Sequence, residues 1–516
     1  MNKTKSTEFS PTVFFYNGVI SALSSLALRL AGMVFNVYLS SHAGAQSMGL
    51  LSLVYSVWGF VLTAGCAGGG LAAARMCAES ASRQESVRAA CKKCLIYSLI
   101  CASTIGALFF IFTPSAGRLL SDSRTVLPLR ILAVSLPCVS MSGTLSGYFN
   151  ACQRSYKNSI CQITEQVIRI TLTALIFSRM RYADAGAYCT AIILGGAVAE
   201  ILSFVIQFSL YICDGDGKAA NVNGCTVTLS GIAKITLPVC ISASVRSGLV
   251  SIEHILIPKG LIAAGYSREE ALSLFGTVHG MSIPIILFCI SITSAFSVLL
   301  IPKFAEQNTL GNKSEIRYIA SRAYRTALIF SFAVAAYLTL SAYLLGNHLY
   351  PKTDAARYIY MFAPLIPIMY VDSVSDAILK GMGEQLYSMK INIVDAAISV
   401  LTVFILVPRI GINGYVIAIY LSETFNTCAS MVRVIRLTKY RLSVMKFILA
   451  PLSLSVVSAN ITGIFYRLSG ALPCSTVLII GGIIFIVVYI LLLVISKSIT
   501  REERRYFIRI IKRGHA

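Results

Sequence analysis

Apolar residues run through this chain in blocks of 20 or more, divided by short polar stretches. The blocks lie near 13–40, 46–74, 92–115, 126–151, 158–179, 184–212, 230–257, 271–302, 321–347, 355–380, 386–408, 411–434, 444–467 and 473–496. Each is close to the roughly 20 residues that a helix needs to cross a bilayer. The pattern predicts an all-α polytopic membrane protein with about fourteen transmembrane helices. The longest polar stretches, near 213–229 and 304–322, read as loops and leave no room for a separate soluble domain. The first block is too long for a signal-peptide core and lacks a small-x-small cleavage site, so it reads as an uncleaved first helix.

Composition sharpens this. Of 516 residues, 56% are hydrophobic and 13% charged, with mean hydropathy +0.75. Soluble domains are about a quarter charged. The net charge of +22 does not point to nucleic acid. Most of the 44 Lys and Arg fall in the termini and even-numbered loops, for example Arg75, Arg83, Arg88, Lys92 and Lys93, then Arg317, Arg322 and Arg325. That alternation is the positive-inside pattern and predicts that both termini are cytoplasmic. The tail 499–516 interleaves Arg with Tyr506, Phe507, Ile510 and Ile511. It reads as a basic amphipathic helix on the anionic inner leaflet, or as a solvated charged tail.

The 15 cysteines are scattered, and several (Cys101, Cys240, Cys289) sit in apolar blocks as small hydrophobes. One CxxC, Cys91 and Cys94, has two lysines between its thiols. No second Cys or His pair completes a zinc site and no βαβ pattern surrounds it, so it reads as structural. No P-loop, HExxH or GxSxG pattern occurs, and neither an enzyme nor a metal or organic cofactor is expected. The glycines of "GCAGGGLAAA", 65–74, read as close helix packing or a break in the second helix.

The chain also repeats itself. Residues 137–177 align without gaps on 367–407, bringing Pro137 onto Pro367, Glu165 onto Asp395 and Ile168 onto Ile398. A second register sets Gly44 on Gly265, Leu51 on Leu272 and Gly59 on Gly280. The expected organisation is two six-helix lobes, 1–215 and 228–440, followed by two appended helices, 441–498, and the tail. Units with an even number of helices insert the same way up, so this is a parallel repeat about an axis along the membrane normal. Between such lobes a cavity can open to either side by rocking, which suggests a transporter.

Ionisable residues inside spans are costly and mark pathways or partners. Arg29 lies in the first helix and Arg246 in the seventh, and the repeat sets Arg246 on Ser25, one turn from Arg29. Two guanidinium groups from opposing lobes suit a phosphate-bearing anion; the bland alternative is that each pairs with a carboxylate. Glu165 and Arg169, spaced i, i+4, read as a structural ion pair. Asp395 at the matching place has no base four residues on. Asp372 and Asp376 lie one turn apart in "DSVSD". These three aspartates are candidates for a coupling Na⁺ or H⁺, with a salt bridge to Lys380 as the alternative for the pair. Glu200, Glu253, His254, His279 and Glu423 lie within or near spans, where hydrogen-bonded packing is the plainer reading.

Several stretches resemble a known family. "RLAG" in the first helix followed by "YLSSHAGAQSMGLLSLVYSVWGFVLTAGCAGGGLAAARMCAE", then "HILIPKGLIAAGYSREEALSLFGTVHGMSIPI", "LLIPKFAE" and "IRYIASRAYRTALIFSFAVAAYL", are similar to stage V sporulation protein B and its relatives. Those belong to the multidrug, oligosaccharidyl-lipid and polysaccharide exporter superfamily. The resemblance implies a two-lobed flippase of the bacterial plasma membrane whose cargo is an undecaprenyl-pyrophosphate-linked saccharide, of peptidoglycan or polysaccharide synthesis. Membrane lipids and cell-wall synthesis enzymes are the other implied partners. Related lipid II flippases carry an arginine with a glycine three residues on, as Arg29 and Gly32 do here, and then a further Arg and Asp where this chain has Phe35 and Asn36. The first helix lacks the acid that drug-extruding members use. A multidrug antiporter and a non-transporting wall-synthesis scaffold remain the alternative functions.

Overall fold

The computed structural model describes every residue except 1–10, 67, 84, 181–183, 215–225, 352, 440–444, 470–472 and 497–516. The expected tail helix and most of the 213–229 loop therefore lie outside the described residues. Among the described residues every regular element is helical: α1 (Pro11–Cys66), α2 (Gly69–Ser82), α3 (Val87–Leu119), α4 (Val126–Ala151), α5 (Ser155–Arg179), α6 (Ala185–Ile212), α7 (Leu229–Ala263), α8 (Arg268–Phe275), α9 (Ile283–Thr309), α10 (Lys313–Leu349), α11 (Ala355–Phe362), α12 (Ile366–Gly381), α13 (Gln385–Ile410), α14 (Ile412–Thr438), α15 (Ala450–Leu468) and α16 (Cys474–Ile495). A π-helical turn, Gly276–Ser282, joins α8 to α9.

Twelve helical stretches among the described residues are long and apolar enough to cross a membrane. One of them, Leu23–Ser82, is 60 residues long. At 1.5 Å per residue it would reach about 90 Å if straight, three times the hydrocarbon core. It is kinked at Gly44, whose φ of 75° and ψ of 171° are not helical, so it holds two passes. With α14, itself 27 residues long, the count comes to about the fourteen that hydropathy predicts. This is a multi-pass membrane protein.

Several turns repeat as the sequence does. Gly44 and Gly265, matched in one register, both have positive φ (75° and 99°). Gln153 and Gly383, matched in the other, do too (55° and 82°), and the same shift carries the end of α4 onto the end of α12 and the start of α5 onto the start of α13. The left-handed region is awkward for a residue with a Cβ, so matched excursions into it are more than shared composition. The glycine run of the second pass contains a break, with Gly68 in the left-handed conformation ahead of α2.

One expectation needs correcting. Residues 304–322 are not a long loop, because α9 runs to Thr309 and α10 begins at Lys313. Both ends are polar helix. Asn312 caps α10 by accepting from the Glu315 backbone N–H, and hydropathy alone cannot distinguish a polar helix end from a loop.

The chain divides into two compact units, Met1–Gly280 with Ala396–Tyr415, and Met281–Asp395 with Val416–Ala516. In the first, a core of α2, α3, α4 and α6 side chains gathers around Cys77, Cys91, Cys94, Leu145 and Phe149, all fully buried. The CxxC thiols are thus core packing, and among the described residues no cluster of His, Cys, Asp or Glu could hold a metal. In the second unit Phe304, Tyr324, Ile378 and Leu379 form a core. The two final helices dock on α10, where the Tyr337 hydroxyl donates to the Leu478 carbonyl (2.6 Å) and that of Tyr489 to Ile329 (2.9 Å).

Candidate functional site

Arg29 lies on the first leg of α1 and Arg246 in the middle of α7. Both side chains are exposed, and neither makes an ion pair or side-chain hydrogen bond with another described residue. The face that carries Arg29 runs on through Gly32, beside which there is open space, to Asn36 two turns later. The Oδ1 of Asn36 is buried without a hydrogen-bond partner among the described residues. A cation, a gap and an unsatisfied amide oxygen thus follow one another on a single helix face. Only the arginine is conspicuous in the sequence.

Glu165, Arg169, Asp372, Asp376 and Asp395 are all engaged. Arg169 Nη2 on α5 donates to Glu165 Oε1 at 2.6 Å and lies 3.5 Å from Glu200 on α6. The sequence shows the first contact by its i, i+4 spacing; the second needs two helices to be brought together. In the second unit Asp372 Oδ2 accepts from the Asn426 amide at 3.3 Å. Asp376 pairs with Lys380 (2.6 Å) and accepts from Ser388. Asp395 accepts a hydrogen bond from Ser422 on α14. Asp372 and Asp376 share α12, but each carboxylate reaches a different neighbour.

In the first unit the second leg of α1 runs antiparallel to α7, with Ser56 against Ser251 and His254, Gly59 near Ser247, and Thr63 against Cys240. It also crosses the start of the next pass at very close range: a Cβ on Gly49 would fall 2.1 Å from the Leu272 carbonyl oxygen. Glycine at that crossing is a steric requirement, in the manner of small-residue contacts between membrane helices.

Beyond the spans, Asp122 anchors the turn between α3 and α4. Its Oδ2 accepts from Arg124 at 2.9 Å and lies 3.4 Å from the Arg268 guanidinium. Burial pushes this carboxyl up, but the bonds from Arg124 and the charge of Arg268 outweigh it and hold it below the usual carboxylate range.

Comparison with known proteins bears on the fold. Residues 15–243 match the family described as polysaccharide biosynthesis protein. Stage V sporulation protein B of Bacillus subtilis (strain 168) is 24% identical over 430 residues, covering 79% of this chain and 80% of that protein. Among solved structures, a lipid II flippase, MurJ, in an inward closed conformation superposes with a TM-score of 0.65 at 13% identity, over 93% of this chain and 99% of that one. A multidrug resistance MATE transporter of the MOP superfamily, inward-facing, gives 0.62 at 16% identity, over 82% of this chain and 100% of that one. At these identities the likeness to solved structures is one of fold: the chain has the fold of MOP superfamily transporters. The family match covers the passes that carry Arg29, Glu165, Arg169 and Glu200, and ends three residues before Arg246.

Proposed function

We propose that this protein is a flippase that moves a polyprenyl-pyrophosphate-linked saccharide from the inner to the outer leaflet of a bacterial plasma membrane by alternating access. The observation that carries this reading is the state of Arg29 and Arg246: two permanent cations inside spans, exposed and without an ion-pair partner among the described residues. A cation left unpaired at that depth is costly, and an anionic head group would compensate it. On this reading the lobes are 1–215 and 228–440, both termini are cytoplasmic, and the two guanidinium groups replace water around the pyrophosphate while the lipid tail stays in the bilayer. Asn36 and the gap at Gly32 extend the polar face for the sugar. The membrane potential, negative inside, favours export of an anion by about 2.3 kcal/mol per charge per 100 mV. Asp372, Asp376 and Asp395 are the candidate acids for a coupling Na⁺ or H⁺, with Asp376 also paired to Lys380. The protein performs no covalent chemistry. Its further partners are membrane lipids and enzymes of wall or polysaccharide synthesis.

The test is head-group translocation of defined lipid-linked saccharides in proteoliposomes. Arg29→Ala and Arg246→Ala each abolish transport while leaving membrane yield unchanged. Transport that survives both changes removes the proposal. The MATE-like fold supports a second reading, antiport of organic cations; efflux of such cations driven by a Na⁺ or H⁺ gradient, unaffected by the arginine changes, would establish it instead.

A further inference from the structure

The tight crossing of α1 over the next passes holds a group of proton-carrying side chains that the flippase reading does not use. His254 on α7 and His279 in the π-helical turn meet edge to face, with ring centroids 4.2 Å apart. His279 also stacks on Phe275, 5.3 Å away and 2° from parallel. On the far side of His254, its Nδ1 is 2.6 Å from the Ser56 hydroxyl on α1. Ser56 Oγ also lies 2.7 Å from the Ser52 carbonyl, so its one proton serves either that oxygen or His254 Nδ1. The His279 Nδ1 shares a hydrogen bond of 3.3 Å with the Tyr415 hydroxyl, at the start of α14.

Local backbone geometry belongs to the same place. Gly276, the first residue of the π turn, crosses α1 so closely that a Cβ would fall 2.0 Å from the Ala45 carbonyl oxygen, and Gly280 packs on Met48. A π turn inside a membrane helix is uncommon and is found mostly at functional positions. His254, Ser56 and Tyr415 are buried, whereas His279 is partly exposed. Other groups bear on the pair. From α7 comes the buried Glu253, within electrostatic reach of Tyr415; from α1, the Ser56 hydroxyl; from the π turn, Thr277; from α14, Tyr415. The α13 side chains on this side of α7, Val407 and Pro408, which pack at Gly260, carry no charge.

We propose that His254 and His279 form a proton-binding site that latches α1 to α7 and the π turn, closed when both rings are neutral and parted when one takes up a proton. The neutral rings fit the seam as found, with every polar atom of His254 that touches α1 accounted for. An added charge would sit between two imidazoles and a phenyl ring, in a seam too tight for water at its glycine crossing, and separation of the helices restores hydration. In the orientation proposed above the seam lies in the outer half of the membrane, so acid outside releases it. Only that last point rests on the orientation; proton binding itself needs no cargo.

A reporter is already present. Trp58, the single tryptophan of the chain, is two residues beyond Ser56 on α1 and 5% exposed. In nanodiscs, acrylamide quenching of Trp58 fluorescence is expected to rise about twofold between pH 8 and pH 4, as the rings of the seam take up a proton. His254→Gln and His279→Gln should each flatten that response while the proteins keep their size-exclusion profile. Should either variant misfold, Tyr415→Phe and Glu253→Gln serve in its place: each shifts the midpoint. Quenching that is flat with pH in the unmodified protein, that falls in acid, or that keeps an unmoved midpoint in all the variants overturns the proposal. Loss of saccharide transport with the Trp58 titration intact would instead count against the flippase reading alone.

Discussion

Glu165 and Asp395 occupy matching places in the internal repeat, yet they meet their charge in different ways. On α5 the carboxylate is answered on its own helix by Arg169 at 2.6 Å, and Glu200 of α6 lies 3.5 Å from the same guanidinium. On α13 the place four residues on is Ser399, and Asp395 instead takes a hydroxyl hydrogen bond from Ser422 on α14. The first is an ion-paired brace between two helices. The second is an acid whose hydroxyl donor comes from another helix rather than from its own. A duplicated position has thus kept its helix and its acid while its local partner changed, because a basic residue stands four positions on in one copy and a serine in the other.

The largest expected effect comes from breaking the brace. Arg169→Ala leaves Glu165 and Glu200 facing one another inside the bilayer, and unpaired buried charge costs about 3–5 kcal/mol. Thermal unfolding in detergent measures the loss, and adding Glu165→Gln and Glu200→Gln to Arg169→Met should restore most of it. A loss below about 1 kcal/mol would make the cluster no more than a surface pair. The opposite signature is expected at the partner position. Asp395→Asn keeps an acceptor for Ser422 and changes stability by less than about 1 kcal/mol, but it lowers gradient-driven transport about tenfold, the scale of one lost charge-assisted contact. Unchanged transport would remove Asp395 from the coupling proposal.

Smaller effects calibrate the contrast outside the membrane. Asp122 is held below the usual carboxylate range by Arg124 and Arg268 against the pull of burial. A carboxyl of that kind stabilises the folded state above its unfolded value, about 3.9, and loses that contribution as pH falls through the lower folded value. Asp122→Asn should therefore be less stable at neutral pH and flatten the acid limb below about pH 4 in a melting series. The smallest change is expected for Lys380→Met. Lys380 is 44% exposed, and exposed pairs are worth about 0–1 kcal/mol; a larger loss in the melt would mean that Asp376 depends on this lysine more than on Ser388.

Much of the fold could be read from the chain. Runs of apolar residues set the passes, and the glycine run at 65–74 marked a possible break, which Gly68 makes in the left-handed conformation that a residue without a Cβ reaches at little cost. The polar helix ends around residues 304–322 could not be read, because hydropathy measures affinity for lipid and not helicity. At the site, Arg29 and Arg246 stood out as lone cations in apolar runs. Glu200 as a second acid for Arg169, Asn426 as a donor to Asp372, and the meeting of Ser56, His254, His279 and Tyr415 did not, since each joins helices far apart in the chain.

The sequence alone determined that this is a many-pass helical membrane protein with a repeated build and cations within its spans, because lipid solvation acts on each segment by itself and leaves its mark in local composition. Which polar side chains satisfy one another was decided only by tertiary packing. A hydrogen bond between helices depends on distance and direction in space, and no local pattern of residues records either.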